Sequence, residues 1–479
     1  MEIIVKPLIN GIKLETRRDS NIISPYNQEL IGKVHLADQD LIDQAILAAS
    51  NAFREVKGIA TYKIAKMLSS VAEKIYKQKE LLAKTISYEV GKPISLAKIE
   101  VDRAAMTFSI AAAESIRIQG ERIDLELDEA SQGHSAIVKR FPVGIIAAIT
   151  PFNFPLNLVA HKLAPALASK NVVILKPAPQ GSITASILGD IITESGILDG
   201  QLNIVYTDNS LAESLVRDER IDLVSFTGSD KVGWMIKNIA GQKKTLLELG
   251  GNATAIVAND ANLSTLIPRL VTGSFAYAGQ ICISIQHILF QEDIFDEALE
   301  LFINATKNMT ANNDPFHEDT LLGPLIDNTA IQRIDRQVHS VINNSQGELV
   351  IGGKYKKNVY EATILKNVDY KSDIAKEEVF GPVVIVNRYK DIHDAVKKVN
   401  SSKYGLQSAL FTNRLNDIYY TFDNVETGGV IINDFPTFRS DIMPYGGIKG
   451  SGLGREGVKY AIEEMTYPKC MVINQLANS

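Results

Sequence analysis

Two hydrophobic periodicities divide the chain. In its first third, Ile42, Ala45, Ile46, Ala49 and Phe53 make one stripe and Ile64, Leu68, Val71 and Ile75 make another, with polar residues between. Apolar residues three and four positions apart return to one side of a helix, so the spacing predicts a helix pair. Gly91-Lys-Pro93 closes it, because proline lacks the donor and disfavours helical backbone in the residue before it. From Val143 the texture changes to short continuous apolar runs: Val143–Ile149, Val172–Leu175, Leu202–Val205, Leu223–Phe226 and Ala253–Val257. Between them the segments Ser182–Ser195, Leu211–Arg217 and Asp230–Ile239 read as helices. Strands buried on both faces show runs rather than alternation, so this order predicts an α/β architecture with a doubly wound parallel sheet. Such sheets bind nucleotides beyond the carboxyl ends of their strands.

A second α/β region follows residue 260, with strands expected at His287–Phe290, Ala362–Leu365, Val383–Val386, Ala409–Thr412 and Val430–Asn433. Ile116–Arg140 and Lys469–Asn474 read as extended and only partly amphipathic. Isolated two-stranded pieces are marginal in water, so these segments are expected to pair with each other or with another subunit. No internal repeat or long linker interrupts the chain.

Length and charge narrow the picture. A chain of 479 residues is too long for one core. With 50 Lys+Arg against 56 Asp+Glu it has no cationic surplus for a phosphate backbone or an anionic membrane. The uncharged stretch from Phe141 holds Pro142, Pro151 and Pro155, which suits a buried strand and turn better than a membrane span. The start, Met1-Glu-Ile-Ile-Val-Lys, lacks the pattern of an export signal, so a cytoplasmic protein is expected. Two cysteines, Cys282 and Cys470, are too few for a disulfide framework. The seven histidines show no metal-ligand spacing, and no metal is expected.

Three side chains have chemical promise. Cys282 follows Gly279-Gln-Ile, a loop in which backbone N–H groups can lower a thiol pKa; Cys470 lies in a terminal strand and reads as a bystander. Glu248 ends an apolar run before Gly250-Gly251, where burial would raise its pKa toward that of a general base. Asn153 sits between Pro151 and Pro155, placed to donate to an oxyanion or simply to form a turn.

Seven short motifs join these residues in one order. They are Thr150-Pro-Phe-Asn-Phe-Pro, Leu175-Lys-Pro-Ala, Phe226-Thr-Gly-Ser, Leu247-Glu-Leu-Gly-Gly, Gly279-Gln-Ile-Cys, Glu377-Glu-Val-Phe-Gly-Pro and Pro444-Tyr-Gly-Gly-Ile-Lys-Gly-Ser-Gly. Together they resemble the aldehyde dehydrogenase superfamily over most of the chain. The resemblance implies two α/β domains and a small β flap. A dinucleotide-binding domain would comprise residues 1–117 and 141–249, a catalytic domain residues 250–445, and an oligomerisation segment residues 118–140 and 446–479, in a homodimer or homotetramer. It also implies a mechanism. Cys282 would attack the aldehyde, Asn153 and the Cys282 backbone N–H would hold the oxyanion, hydride would pass to a nicotinamide, and Glu248 would activate the water that releases the acid. A non-catalytic member of the fold would need none of the three.

For the cofactor, the resemblance points to Thr150, Pro151 and Phe152, to Gly228, Ser229 and Gly233, and to Leu249. It makes Glu378 the ligand of the nicotinamide ribose, Phe380 its packing neighbour and Lys176 the lysine at the adenosine ribose. Many NAD-specific relatives carry a Glu three residues after that lysine. This chain has Pro179, which neither accepts ribose hydroxyls nor repels a phosphate, so NADP is expected in preference to NAD. Gly452-Leu-Gly-Arg-Glu-Gly457 imitates a dinucleotide fingerprint, yet no strand is expected to lead directly into it, and it reads as the turn after Tyr445-Gly-Gly and the start of a late helix. The texture around Asn433–Arg439 and Val458–Thr466 is most similar to the lactaldehyde and glyceraldehyde branch. There Arg103 and Arg439 would face a polar or anionic substrate tail, with Arg103 otherwise pairing with an acid on its own helix. Ile281 and Ile283 flank the thiol where phosphorylated-substrate relatives carry an Arg, which favours lactaldehyde or glyceraldehyde over a phosphorylated aldehyde. Succinate semialdehyde and glyceraldehyde 3-phosphate are the alternatives.

Overall fold

The computed structural model describes residues 3–310 and 312–474. Its first large sheet has eight strands, in the spatial order Gly452–Leu453, Lys244–Glu248, Leu223–Thr227, Ile145–Ile149, Val172–Lys176, Leu202–Ile204, Leu8–Ile9 and Ile12–Lys13. The five central strands are parallel. Ile145–Ile149, the first of the five in the chain, lies in the middle; the next two were added on one side and the last two on the other. The order therefore reverses between Ile145–Ile149 and Leu223–Thr227, which opens a crevice at their carboxyl ends. Every residue of both strands is buried, which explains why they read as continuous apolar runs.

The first third holds four helices rather than a pair: Gln39–Val56, Thr61–Lys77, Lys79–Val90 and Ile94–Ser115. The two legible ones each bury a single stripe. Ile94–Ser115 is wedged between Thr61–Lys77 and Asn157–Ala168, so it buries small residues on several faces, among them Ala97, Ala104, Ala111 and Ala112. A helix buried that way shows no 3.6-residue stripe. Gly91-Lys-Pro93 separates the third helix from the fourth, with Gly91 in the left-handed region at φ 66°. Strands also precede the helices: Leu30–Leu36 pairs with both Ile3–Val5 and Arg18–Ile23.

The second large sheet runs in the order Glu348–Ile351, Thr363–Lys366, Val383–Tyr389, Ile285–Gln291, Ala253–Val257, Gln407–Phe411 and Gly429–Ile432. All its pairings are parallel except the edge strand Glu348–Ile351. A separate three-stranded sheet joins Thr466–Asn474 to His134–Pro142 and that strand to Glu121–Asp124, so the two extended segments do pair with each other. The segment 446–479 divides, however. Gly452–Leu453 is an antiparallel edge strand on Lys244–Glu248, and Val458–Glu464 is a helix packed on Asn157–Ala168 and Ile94–Ser115, so only the part from Thr466 belongs to the flap. Residues 475–479 of that segment lie outside the described residues. The glycine-rich run therefore begins with a strand of its own, and the late helix starts at Val458, just after it. No helix among the described residues is long and apolar enough to cross a membrane.

Candidate active site

A cavity of about 360 Å³ lies at the crevice where the strand order reverses. Pro151, Phe152 and Asn153, leaving Ile145–Ile149, form part of its wall; Thr227, Gly228 and Ser229, leaving Leu223–Thr227, form another. Glu248 and Leu249 come from the neighbouring strand, Glu378 and Phe380 from the second large sheet's side, and Cys282 closes the far end. Thr150, Lys176, Pro179 and Gly233 do not line the cavity. Gly233 is bare where the Leu249 side chain packs: a Cβ there would meet Leu249 at 2.1 Å.

The approach to Cys282 is conformationally costly. Tyr277, Ala278 and Gly279 all have left-handed backbone, at φ 52°, 53° and 66°. Non-glycine residues in that region cost of order 1–3 kcal/mol each and persist only where their surroundings hold them. Here the Tyr277 hydroxyl donates to Val90 O at 3.0 Å, and the Gln280 amide donates to Tyr277 O and Pro324 O. Gln280 O in turn accepts from Asn153 Nδ2 at 2.9 Å, which ties the Asn153 side chain to the Cys282 loop and leaves its second amide hydrogen without a partner among the described residues. The Gly250-Gly251 turn brings Glu248's strand against the same loop. A Cβ at Gly251 would lie 2.3 Å from Cys282 O, and Gly251 N donates to Glu378 Oε1 at 3.1 Å.

The electrostatics differ from the sequence expectation at the thiol. Burial pushes Cys282 up to about 12, helped by the negative charges of Glu378 and Glu248; the Tyr445 hydroxyl, 3.2 Å from Sγ, and the Arg439 cation oppose the rise. The loop's N–H groups do not dominate, because Ile281, Ile283, Leu406 and Tyr445 pack an apolar nest around the sulfur. Glu248 behaves as expected. Burial and the nearby Glu456 carboxylate hold its pKa well above the ordinary range, and its Oε2 has no partner among the described residues. Burial also raises Glu378 to about 8.

Behind the cavity lies a buried charge array that the linear sequence did not disclose. Glu456 accepts from Arg439 at 3.0 Å and from Lys162 at 3.3 Å, and those cations hold it down to about 2. Asp441 accepts from Arg103 at 2.6 Å and bonds His161 at 2.9 Å. The partner of Arg103 is therefore not an acid on its own helix. Glu100 is paired with Lys92 and Asp102 with Lys79, so Arg103 turns to a loop 338 positions away. Neither arginine is on the cavity wall; Arg439 stacks over the Tyr445 ring at 3.8 Å, with its Nε unpartnered. Of this array the sequence singles out only the two arginines, as candidate substrate contacts, and not their acidic partners Asp441 and Glu456. Cys470 is exposed on the terminal strand, remote from it.

The residues present fit a dinucleotide. The glycine-bearing loop Thr227-Gly-Ser leads into a helix, Asp230–Ile239, and Thr150 Oγ1 and Thr227 Oγ1 are buried without partners among the described residues. Phe152 and Phe380 stand edge to face across the cavity, centroids 6.0 Å apart. Lys176 is 7% exposed at the end of its strand, its ammonium without a hydrogen bond or ion pair among the described residues, and burial lowers its pKa.

Known proteins agree with this geometry. Lactaldehyde dehydrogenase from Methanocaldococcus jannaschii is 39% identical over 464 residues, covering 96% of this chain and 98% of that protein. The 3-sulfolactaldehyde dehydrogenase of Priestia aryabhattai is 37% identical over 467 residues, 97% of each. Among solved structures, aldehyde dehydrogenase 21 from Physcomitrella patens in complex with the reaction product succinate superposes with a TM-score of 0.97 at 39% identity, covering 100% of both chains. Glyceraldehyde-3-phosphate dehydrogenase GapN from Methanocaldococcus jannaschii complexed with NADP gives 0.91 at 38% identity, covering 96% of this chain and 100% of that one. With residues 12–471 matching the profile of the aldehyde dehydrogenase family as well, the chain belongs to that family.

Proposed function

We infer that this chain oxidises a small hydroxyaldehyde, lactaldehyde or glyceraldehyde, to its carboxylic acid, with NADP preferred over NAD. The observation that carries the reading is the meeting of Cys282, Asn153 and Glu248 in one cavity with Glu378 and Phe380. As thiolate, Cys282 attacks the aldehyde carbon, and the carbonyl electron pair moves onto oxygen. The free Asn153 amide hydrogen and the Cys282 backbone N–H are the donors for that oxyanion. When bound, the nicotinamide supplies the hydride acceptor that lets the Cys282 adduct become a thioester. Glu248 then takes a proton from water as the water oxygen attacks the thioester carbon, and the thiolate leaves with its electron pair.

The NADP preference rests on Lys176. Its ammonium makes no hydrogen bond or ion pair among the described residues, with only the charge of Asp208 acting on it, and a 2'-phosphate would supply a direct partner. The neighbouring helix N-terminus at Ser182–Thr193 is already taken, because Glu89 accepts from Ile183 N and Thr184 N. Substrate size follows from the apolar nest of Ile281, Ile283 and Leu406 beside the thiol. A second reading, a semialdehyde with an anionic tail, is favoured by Arg439, a buried cation with a free Nε one ring away from Cys282. Self-association through the three-stranded sheet accompanies either reading.

A panel of lactaldehyde, glyceraldehyde, glyceraldehyde 3-phosphate and succinate semialdehyde, each with NADP and with NAD, tests both. The highest kcat/KM is expected for a hydroxyaldehyde with NADP; a succinate semialdehyde maximum selects the second reading. Lys176→Met should cut kcat/KM for NADP about tenfold or more while sparing NAD. Equal losses for both cofactors would remove the phosphate role.

A further inference from the structure

Among the described residues, Tyr445 is the one polar side chain in hydrogen-bond contact with the Cys282 sulfur, and no role in the reaction derived above uses it. Its hydroxyl is 3.2 Å from Sγ across 163 positions of sequence. The tyrosine is 4% exposed, and its backbone is pinned by two hydrogen bonds with Glu456, Tyr445 N donating to Glu456 O and Glu456 N to Tyr445 O. Arg439, itself bound to the Glu456 carboxylate, covers the ring face at 3.8 Å. Ring, cation and carboxylate thus form a stack that fixes where the hydroxyl points.

We propose that Tyr445 is a catalytic residue that donates its O–H to the Cys282 thiolate, holding the sulfur charged and aimed before attack. This rests on Cys282 being the nucleophile. The contact can take two forms: a neutral thiol donates S–H to the tyrosine oxygen, and a thiolate accepts O–H from it. The switch needs only a turn of the hydroxyl, and the phenol keeps its own proton throughout. The proton that leaves sulfur goes to the Glu248 carboxylate or to water in the cavity.

The surroundings make the donor useful. Facing the sulfur are Glu248 and Glu378, whose negative charge opposes a thiolate, and Arg439, which favours one; Tyr445 is the only member of this set that reaches the sulfur with a hydrogen. Facing the tyrosine are Cys282, Glu248 and Arg439, and the buried Arg439 makes the phenol a better donor while burial keeps it un-ionised. Ionised donors and acceptors roughly double the strength of a hydrogen bond, and the apolar nest keeps water from replacing it. Once the thioester has formed, the sulfur is a poor acceptor and the hydroxyl is released, so the stabilisation is confined to the attacking and departing thiolate.

Tyr445→Phe removes one oxygen and keeps the ring under Arg439. The measurement is the pH profile of iodoacetamide inactivation in wild type and Y445F, scored with the steady-state kcat/KM for the aldehyde. The midpoint is expected to rise by about one pH unit and alkylation at neutral pH to slow about tenfold, with the limiting rate at high pH unchanged. The kcat/KM should fall by a similar factor at neutral pH and recover as pH rises. An unmoved midpoint overturns the proposal, whether or not the limiting rate changes, since a fall in that rate alone means the ring merely packs. Cofactor binding followed by fluorescence confirms that Y445F is folded. If Cys282→Ser retains aldehyde oxidation, the underlying reading fails instead, which this comparison separates from failure of the tyrosine's role.

Discussion

The side chain whose behaviour depends most on its surroundings is Glu248. A carboxylate is a competent base near neutral pH only if something makes it hold a proton more tightly, and here burial and the charge of Glu456 do so. In the proposed reaction Glu248 acts as base in its ionised form. A raised pKa therefore means that thioester hydrolysis rises as pH climbs through it and is lost as pH falls. Glu248→Gln should lower steady-state turnover by about 10²–10⁴ while leaving a single-turnover burst of reduced cofactor, and should abolish the acid limb of the deacylation profile. Undiminished turnover would mean that another group activates the water. The promise of Cys282, Glu248 and Asn153 was legible from residue type and local company. The thiol's actual environment was not, because its pKa is set first by burial and then by Tyr445, Glu378, Glu248 and Arg439, all distant in sequence.

Among the elements, Ile94–Ser115 matters most to the site without entering it. Its Glu100 carboxylate accepts from Leu156 N at 2.9 Å and Asn157 N at 3.1 Å, anchoring the end of the loop that carries Asn153. Lys92 pairs with Glu100 and lies 3.5 Å over the Phe154 ring, with both charged groups fully buried. Removing one partner of such a pair leaves the other charge stranded. Lys92→Met is therefore expected to destabilise the protein by about 3–5 kcal/mol, read as a lower guanidinium unfolding midpoint, together with reduced kcat. An unchanged midpoint would show that Glu100 is content with its two backbone donors. This helix escaped the periodicity that exposed the first two because it is packed on several faces and carries no single stripe, and its neighbour Lys79–Val90 escaped it because Ser87 and Glu89 are buried while Leu81 and Tyr88 are exposed. Strands were read to within a few residues because a run buried on both faces is nearly all apolar.

For the whole molecule, two parallel sheets place their loops around one cavity, and a third, smaller sheet stands apart. Thr466–Asn474 is the edge of that small sheet, and Phe141, Tyr467, Met471, Val472 and Ile473 on it are all exposed. A long sheet edge carrying exposed apolar side chains is a template for association, so it is the surface expected to join subunits. A Met471→Glu, Val472→Glu double variant should sediment as a smaller species than wild type; an unchanged sedimentation coefficient would place the interface elsewhere. The linear chain determined the architecture and the chemical inventory, because helix and strand periods are local and the seven motifs occur in a set order. Tertiary structure decided what those groups experience: that Arg103 meets Asp441, that Tyr445 meets Cys282, and that Glu248 shares its surroundings with Glu456. The physical reason is that burial and charge act through space at a few ångströms, whereas the residues responsible are brought together from more than a hundred positions away.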